Sequence, residues 1–77
     1  PGPKFVLQIG AFAEAAAVKD ARDRAEKAGL KTFTQPVTTD AGVRTRVRVG
    51  PFASREEALA AQARAEAAGL KSVVMLQ

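Results

Sequence analysis

The run Val43-Arg44-Thr45-Arg46-Val47-Arg48-Val49-Gly50-Pro51-Phe52 decides how this chain folds. From Val43 to Val49, β-branched residues hold positions 43, 45, 47 and 49, and arginines hold 44, 46 and 48. Successive side chains of a strand point to opposite faces, so the run reads as a strand with one dry face and one cationic face. A helix would scatter the arginines around its circumference and would disfavour so many β-branched residues. Three like charges on alternate positions repel one another. An anionic or hydrogen-bonding ligand explains such a row better than stability does, and the plainer alternative is the solvated outer face of an ordinary sheet.

The rest of the composition narrows the setting. Seventy-seven residues make one small domain, near the size at which a single core only just suffices. Much of its apolar content is alanine, which calls for a thin, close-packed core. The absence of cysteine and histidine argues against disulfides, a zinc site and the usual proton shuttles. No apolar run approaches a membrane span and no signal peptide is visible, so a parent protein's export signal or anchor would lie outside this stretch. The net charge of +4 is uneven. Lys31, Arg44, Arg46 and Arg48 face only Asp40 between Leu30 and Gly50, whereas residues 14–27 mix signs at helical spacing, as in Asp20–Arg24 and Asp23–Lys27. The basic character belongs to a face and points to an anionic partner.

Outward from the arginine strand, the chain reads as follows. Residues 1–3 resemble a linker remnant, and 4–77 form the domain. Lys4 to Ile9 is a strand with Phe5, Leu7 and Ile9 on one face, broken by Gly10. Glu14 to Ala28 is a helix whose buried stripe is Val18, Ala21, Ala25 and Ala28, stopped by Gly29. Lys31 to Val37 is a strand with Phe33 facing inward, and Pro36 confines it to a sheet edge. Thr38 to Gly42 is a turn into the arginine strand. Ser54-Arg55-Glu56-Glu57 has capping-box spacing for a second helix that Gly69 stops, and Lys71 to Leu76 is the last strand. Gly10 and Gly50 read as turn glycines, and Phe12 and Phe52 as core plugs.

The chain contains its own copy at an offset of forty. Gly10, Phe12 and Ala13 match Gly50, Phe52 and Ala53, and Ala28-Gly29-Leu30-Lys31 matches Ala68-Gly69-Leu70-Lys71. Two such half-units give a β-α-β-β-α-β order, an α+β ferredoxin-like fold with a pseudo-two-fold repeat. Right-handed crossovers place both helices on one side of a four-stranded antiparallel sheet, with the first and third strands central. The uncovered face then gathers Val6, Gln8, Arg44, Arg46 and Arg48, and further out Thr32, Thr34 and Val74.

With these pieces in order, the chain resembles a SPOR domain, the sporulation-related repeat of bacterial envelope and division proteins. The resemblance is carried by Val6-Leu7-Gln8-Ile9-Gly10-Ala11-Phe12, by Arg46-Val47-Arg48-Val49-Gly50-Pro51-Phe52 and by the two Ala-Gly-Leu-Lys helix ends. It implies a monomeric, non-catalytic module in the periplasm or cell envelope. That module binds peptidoglycan glycan strands denuded of stem peptides and so targets its parent to the division septum. By the same resemblance Gln8, Arg46 and Val74 fall on family contact positions. Ala11 stands where many members have serine, and Arg44 where many have an aromatic ring. Neither tryptophan nor tyrosine is present to stack on a sugar.

The chemistry is consistent with that implication. Removing a stem peptide converts the lactyl amide of N-acetylmuramic acid into a free carboxylate, which arginine can grip in bidentate geometry. Gln8 can donate to or accept from acetamido groups. Ser54 has a cap role and no histidine to activate it, and the helix carboxylates lack any pairing suited to acid–base work. No catalytic residue, metal, cofactor or membrane contact is expected. The rival is an RNA- or single-stranded-DNA-binding module on the same basic face. Such modules stack bases on aromatic residues of the first and third strands, and Val6, Gln8, Arg44, Arg46 and Arg48 supply no ring.

Overall fold

The computed structural model describes Gly2–Gln77. Pro1 lies outside the described residues, and Gly2 and Pro3 are exposed and outside any element. The elements are β1 (Phe5–Phe12), α1 (Ala15–Lys27), β2 (Thr32–Thr39), β3 (Gly42–Phe52), α2 (Arg55–Ala67) and β4 (Val73–Leu76). The four strands form one sheet in the order β2-β3-β1-β4, with every neighbouring pair antiparallel. This is the expected ferredoxin-like arrangement, with the arginine strand central and Pro36 on an edge.

Both helices pack on one face. Ala21 and Ala25 of α1 and Ala58, Ala61 and Ala65 of α2 are buried, while Val18 and Ala28 of the expected stripe are half-buried. Spacings of three and four keep the buried alanines on one side of each helix. Their small side chains let the helices sit close to the sheet, and the Cα envelope measures only 15 Å in its shortest dimension. Leu7, Val49, Leu30 and Leu70 supply most of the remaining bulk of the core.

The two helix ends deliver those last two leucines by the same device. Gly29 and Gly69 adopt φ of 81° and 79°, a left-handed conformation that a side chain resists. The chain then doubles back, and the Leu30 and Leu70 amides donate to the Ala25 and Ala65 carbonyls at 3.0 and 2.9 Å. At the start of α2, Ser54 Oγ accepts from the Glu57 amide at 3.2 Å and Glu57 Oε2 accepts from the Ala53 amide at 3.1 Å. Glu14 caps α1 with no side-chain bond. Ser54→Ala should therefore cost about 1 kcal/mol, a fall in Tm of about 4–8 °C for a domain of this size. Glu14→Ala should leave the melting curve nearly unchanged, and thermal denaturation of both variants checks the contrast.

Gly10 and Gly50 depart from expectation. Neither breaks a strand, because β1 runs on to Phe12 and β3 to Phe52. In each half the phenylalanine two positions on folds its ring back over the glycine. A Cβ on Gly10 would lie 2.6 Å from Phe12 Cζ, and one on Gly50 would lie 3.1 Å from Phe52 Cδ2. The glycines make room for rings, which is why the Gly-x-Phe unit repeats. The rings are half-buried rather than full core plugs, though Phe52 does pack against the central cluster. Either truncation to alanine should cost less than the roughly 3–5 kcal/mol of a fully buried phenylalanine.

Candidate functional site

Strand register decides what the uncovered face carries, because directly opposed side chains share a face. Leu7 opposes Val49 on the helix side, and Gln8 opposes Arg48 on the open side. The β1–β3 ladder then skips Ile9, so Gly10 opposes Val47 and Ala11 opposes Arg46. Strict alternation would send Ala11 away from Gln8. The extra residue restores it to the same face. Gln8, Ala11, Arg46 and Arg48 are thus brought together, with Arg44 one step along β3 and Val6 beside Gln8's end of β1. Val6 opposes Met75 and is 1% exposed, so the open face has a small apolar floor of its own.

Two expected members lie elsewhere. Thr34 opposes Val47 and so projects to the helix side. Val74 opposes Leu7 and packs against the core cluster. Thr32 also turns away, since its hydroxyl accepts from Arg22 Nε of α1 at 3.2 Å. For Thr32 and Thr34 the reason is the β2–β3 turn, which is shorter than the five-residue loop expected. Thr39 already opposes Gly42, leaving only Asp40 and Ala41 between the strands. A slip of one residue moves every side chain to the other face. Phe33, Gln35 and Val37 therefore oppose Arg48, Arg46 and Arg44 on the open face, and Val73 joins Gln8 there from β4.

Phe33 is the residue that sequence reasoning missed. It was expected inward, and the face was expected to hold no ring. The signal that locates it is the loop length: a two-residue hairpin places 33 across from 48.

The polar groups on this face are pre-arranged. Arg48 Nε donates to Gln8 Oε1 at 3.1 Å in a part-buried setting. That bond occupies the amide oxygen, so Gln8 presents its NH₂ as a donor to anything bound above, and Arg48 keeps its terminal nitrogens available. Ion pairs among the described residues, Lys19–Asp23 and Arg22–Glu26, lie on α1. Arg44, Arg46 and Arg48 have no carboxylate partner among the described residues. Three half-buried guanidinium groups with free hydrogen-bonding capacity can hold a carboxylate. Remote from them on α1, the exposed Lys19–Asp23 hydrogen bond raises the amine and lowers the carboxyl.

Comparison with known proteins agrees with this fold. A family model described as SPOR domain matches residues 1–76. The chain is similar to the peptidoglycan-binding domain of the B. subtilis cell wall lytic enzyme CwlC, with a TM-score of 0.81 and 30% identity over 100% of this chain and 92% of that one. It is also similar to the RlpA SPOR domain from Pseudomonas aeruginosa, with a TM-score of 0.83 and 25% identity over 92% of this chain and 96% of that one. A third likeness, to the Spor protein DedD, has a TM-score of 0.68 and 33% identity over 97% of this chain but 39% of that one. Among curated protein sequences nothing matches.

Proposed function

The chain belongs to the SPOR domain family, and on that premise we propose that it is a non-catalytic peptidoglycan-binding module. Its ligand is the glycan strand stripped of stem peptides, held on the open sheet face. Stripped strands arise where amidases act, so the module directs a larger envelope protein to the division septum as a monomer. The observation that carries the reading is the row of arginines without carboxylate partners among the described residues, Arg48 and Arg46 in register with Gln8 and Ala11, on the face no helix covers. The likeness to the CwlC domain, itself described as peptidoglycan-binding, supports it.

Each feature matches a feature of the stripped polymer. Stripping creates one carboxylate on each muramic acid and removes the peptide that would block a flat protein surface. Arg46 and Arg48 supply charge-assisted donors for the carboxylate. The oriented Gln8 amide donates to an acetamido carbonyl. Ala11, small and exposed, leaves room for a sugar ring to approach closely.

Gln8→Ala and Arg46→Ala should each raise Kd for peptide-free glycan oligomers by about ten-fold, the loss of one hydrogen bond to a charged group or its equivalent. Stability of Arg46→Ala should stay within about 0.5 kcal/mol, and Gln8→Ala, which also removes the part-buried bond from Arg48, should cost about 1 kcal/mol. Titration beside thermal melting checks both. A variant that melts markedly earlier yet binds normally would remove these residues from the site.

One observation favours a second reading. The ring of Phe33 on a basic sheet face invites a nucleobase, as in single-strand-binding modules. Here the ring sits on the edge strand, and the central strands carry none on the open face. Salt separates the two ligands. If three arginines each neutralised a phosphate of a single strand, log affinity would fall against log salt with a slope of about −2, roughly a twenty-fold loss between 50 and 200 mM. A stripped glycan is far more sparsely charged and should lose much less over that range. Tight, steeply salt-dependent binding to a single strand with no affinity for glycan would replace the proposal.

A further inference from the structure

We propose that Phe33 is a sugar-stacking platform at one end of a ligand track that crosses the sheet at right angles to its strands. This rests on the glycan reading above and deepens it by naming the polymer's direction and the side chain that meets a sugar face.

The track follows from three pairings. Phe33 opposes Arg48, Arg48 opposes Gln8, and Gln8 opposes Val73. One line of side chains therefore runs across β2, β3, β1 and β4 on the open face. At about 4.8 Å between neighbouring strands it covers about 14 Å, enough for a short run of sugar rings. Its ends are apolar and its centre is polar. Val73 is 60% exposed, so the β4 end is free to take a ligand.

Phe33 is half-buried but takes no part in the helix-side core. Phe5, Phe12 and Phe52 lie on the helix side, where Phe5 shares Leu7's face, Phe12 covers Gly10 and Phe52 touches the core. Phe33 alone projects from the other face, on an edge strand, with no layer above it. Across the strand from Phe33, Arg48 Nε is engaged by Gln8 Oε1 on the β1 side. A pyranose presents a face of C–H groups beneath its equatorial hydroxyls. An aromatic ring without a polar atom is the complementary surface.

Charge spacing also favours the transverse path. A polymer laid along β3 would meet a guanidinium about every 6.6 Å, whereas a stripped glycan carries a carboxylate only on every second sugar. Laid across the strands it meets Arg48 on the track between two apolar contacts, with Arg46, the next open-face residue of β3, flanking the same carboxylate.

The test is titration of the domain, Phe33→Leu, Phe33→Trp and Arg46→Ala with a peptide-free glycan oligomer released from amidase-treated sacculi. Phe33→Leu should raise Kd by about three- to ten-fold, with the salt dependence unchanged because the lost contact is neutral. Phe33→Trp should recover the affinity. In the unaltered domain, ring-current shifts should move sugar C–H proton resonances upfield on binding. Wild-type affinity in Phe33→Leu, or sugar protons without upfield shifts, overturns the role of Phe33, and the glycan reading survives if Arg46→Ala still binds weakly. An unaltered domain that does not bind the oligomer overturns both.

Discussion

Leu7→Ala is expected to remove close to half of the domain's stability in one step. Leu7 is 0% exposed, lies on the helix side of a central strand, and belongs to a cluster built otherwise of Val49, Leu30, Leu70 and alanines. Alanines cannot move inward to fill a leucine-sized void, because they are already in contact and have no length to extend. The cost is therefore expected in the range of about 2–5 kcal/mol for large-to-small core substitutions. A chain of this length has only about 4–12 kcal/mol in total. Tm should fall by at least about 8 °C, and Val73→Ala, on the exposed end of the open face, should leave it nearly unmoved. A Leu7→Ala protein that melts within a degree or two of the parent would mean that the alanine-lined helices do not pack as described.

The second large effect is on binding. Replacing Arg44, Arg46 and Arg48 together with alanine should reduce affinity for peptide-free glycan by about a hundred-fold or more, if each loses an interaction of roughly 1 kcal/mol or more. Folding should survive, because none of the three has an ion-pair partner among the described residues and their mutual repulsion disappears. Near-wild-type affinity in the triple variant, with an unchanged melting temperature, would remove the arginine strand from the site.

How far the sequence could be read follows the physics of each signal. The arginine strand, the Ala-Gly-Leu-Lys helix ends and the Ser54 capping box are local patterns. Alternation, left-handed glycine and cap spacing act within a few residues, so these elements and the β-α-β-β-α-β order could be inferred before any coordinates. Gln8, Arg46 and Arg48 fell on one face because each lies on a central strand and alternation alone assigns it. Ala11 required the bulge at Ile9, which no residue type announces, and only the family resemblance pointed to it.

Thr34 lies on the helix side because an edge strand's orientation depends on loop length, whereas Val74 is placed there by the β1–β4 register, which sets it opposite Leu7. Thr38-Thr39-Asp40-Ala41-Gly42 is compatible with either parity. The same ambiguity hid Phe33, whose apolar character suits a core as well as a ligand. Gly10 and Gly50 misled for another reason: a glycine that makes room for a ring looks the same in sequence as one that turns the chain.

The central claim is that the open face reads the absence of stem peptides. Sedimentation of the purified domain with murein sacculi, before and after digestion by an amidase that removes stem peptides, tests it most directly. The bound fraction should rise with the extent of stripping and fall back when Arg46→Ala replaces the parent. Equal or stronger binding to undigested sacculi would contradict the account.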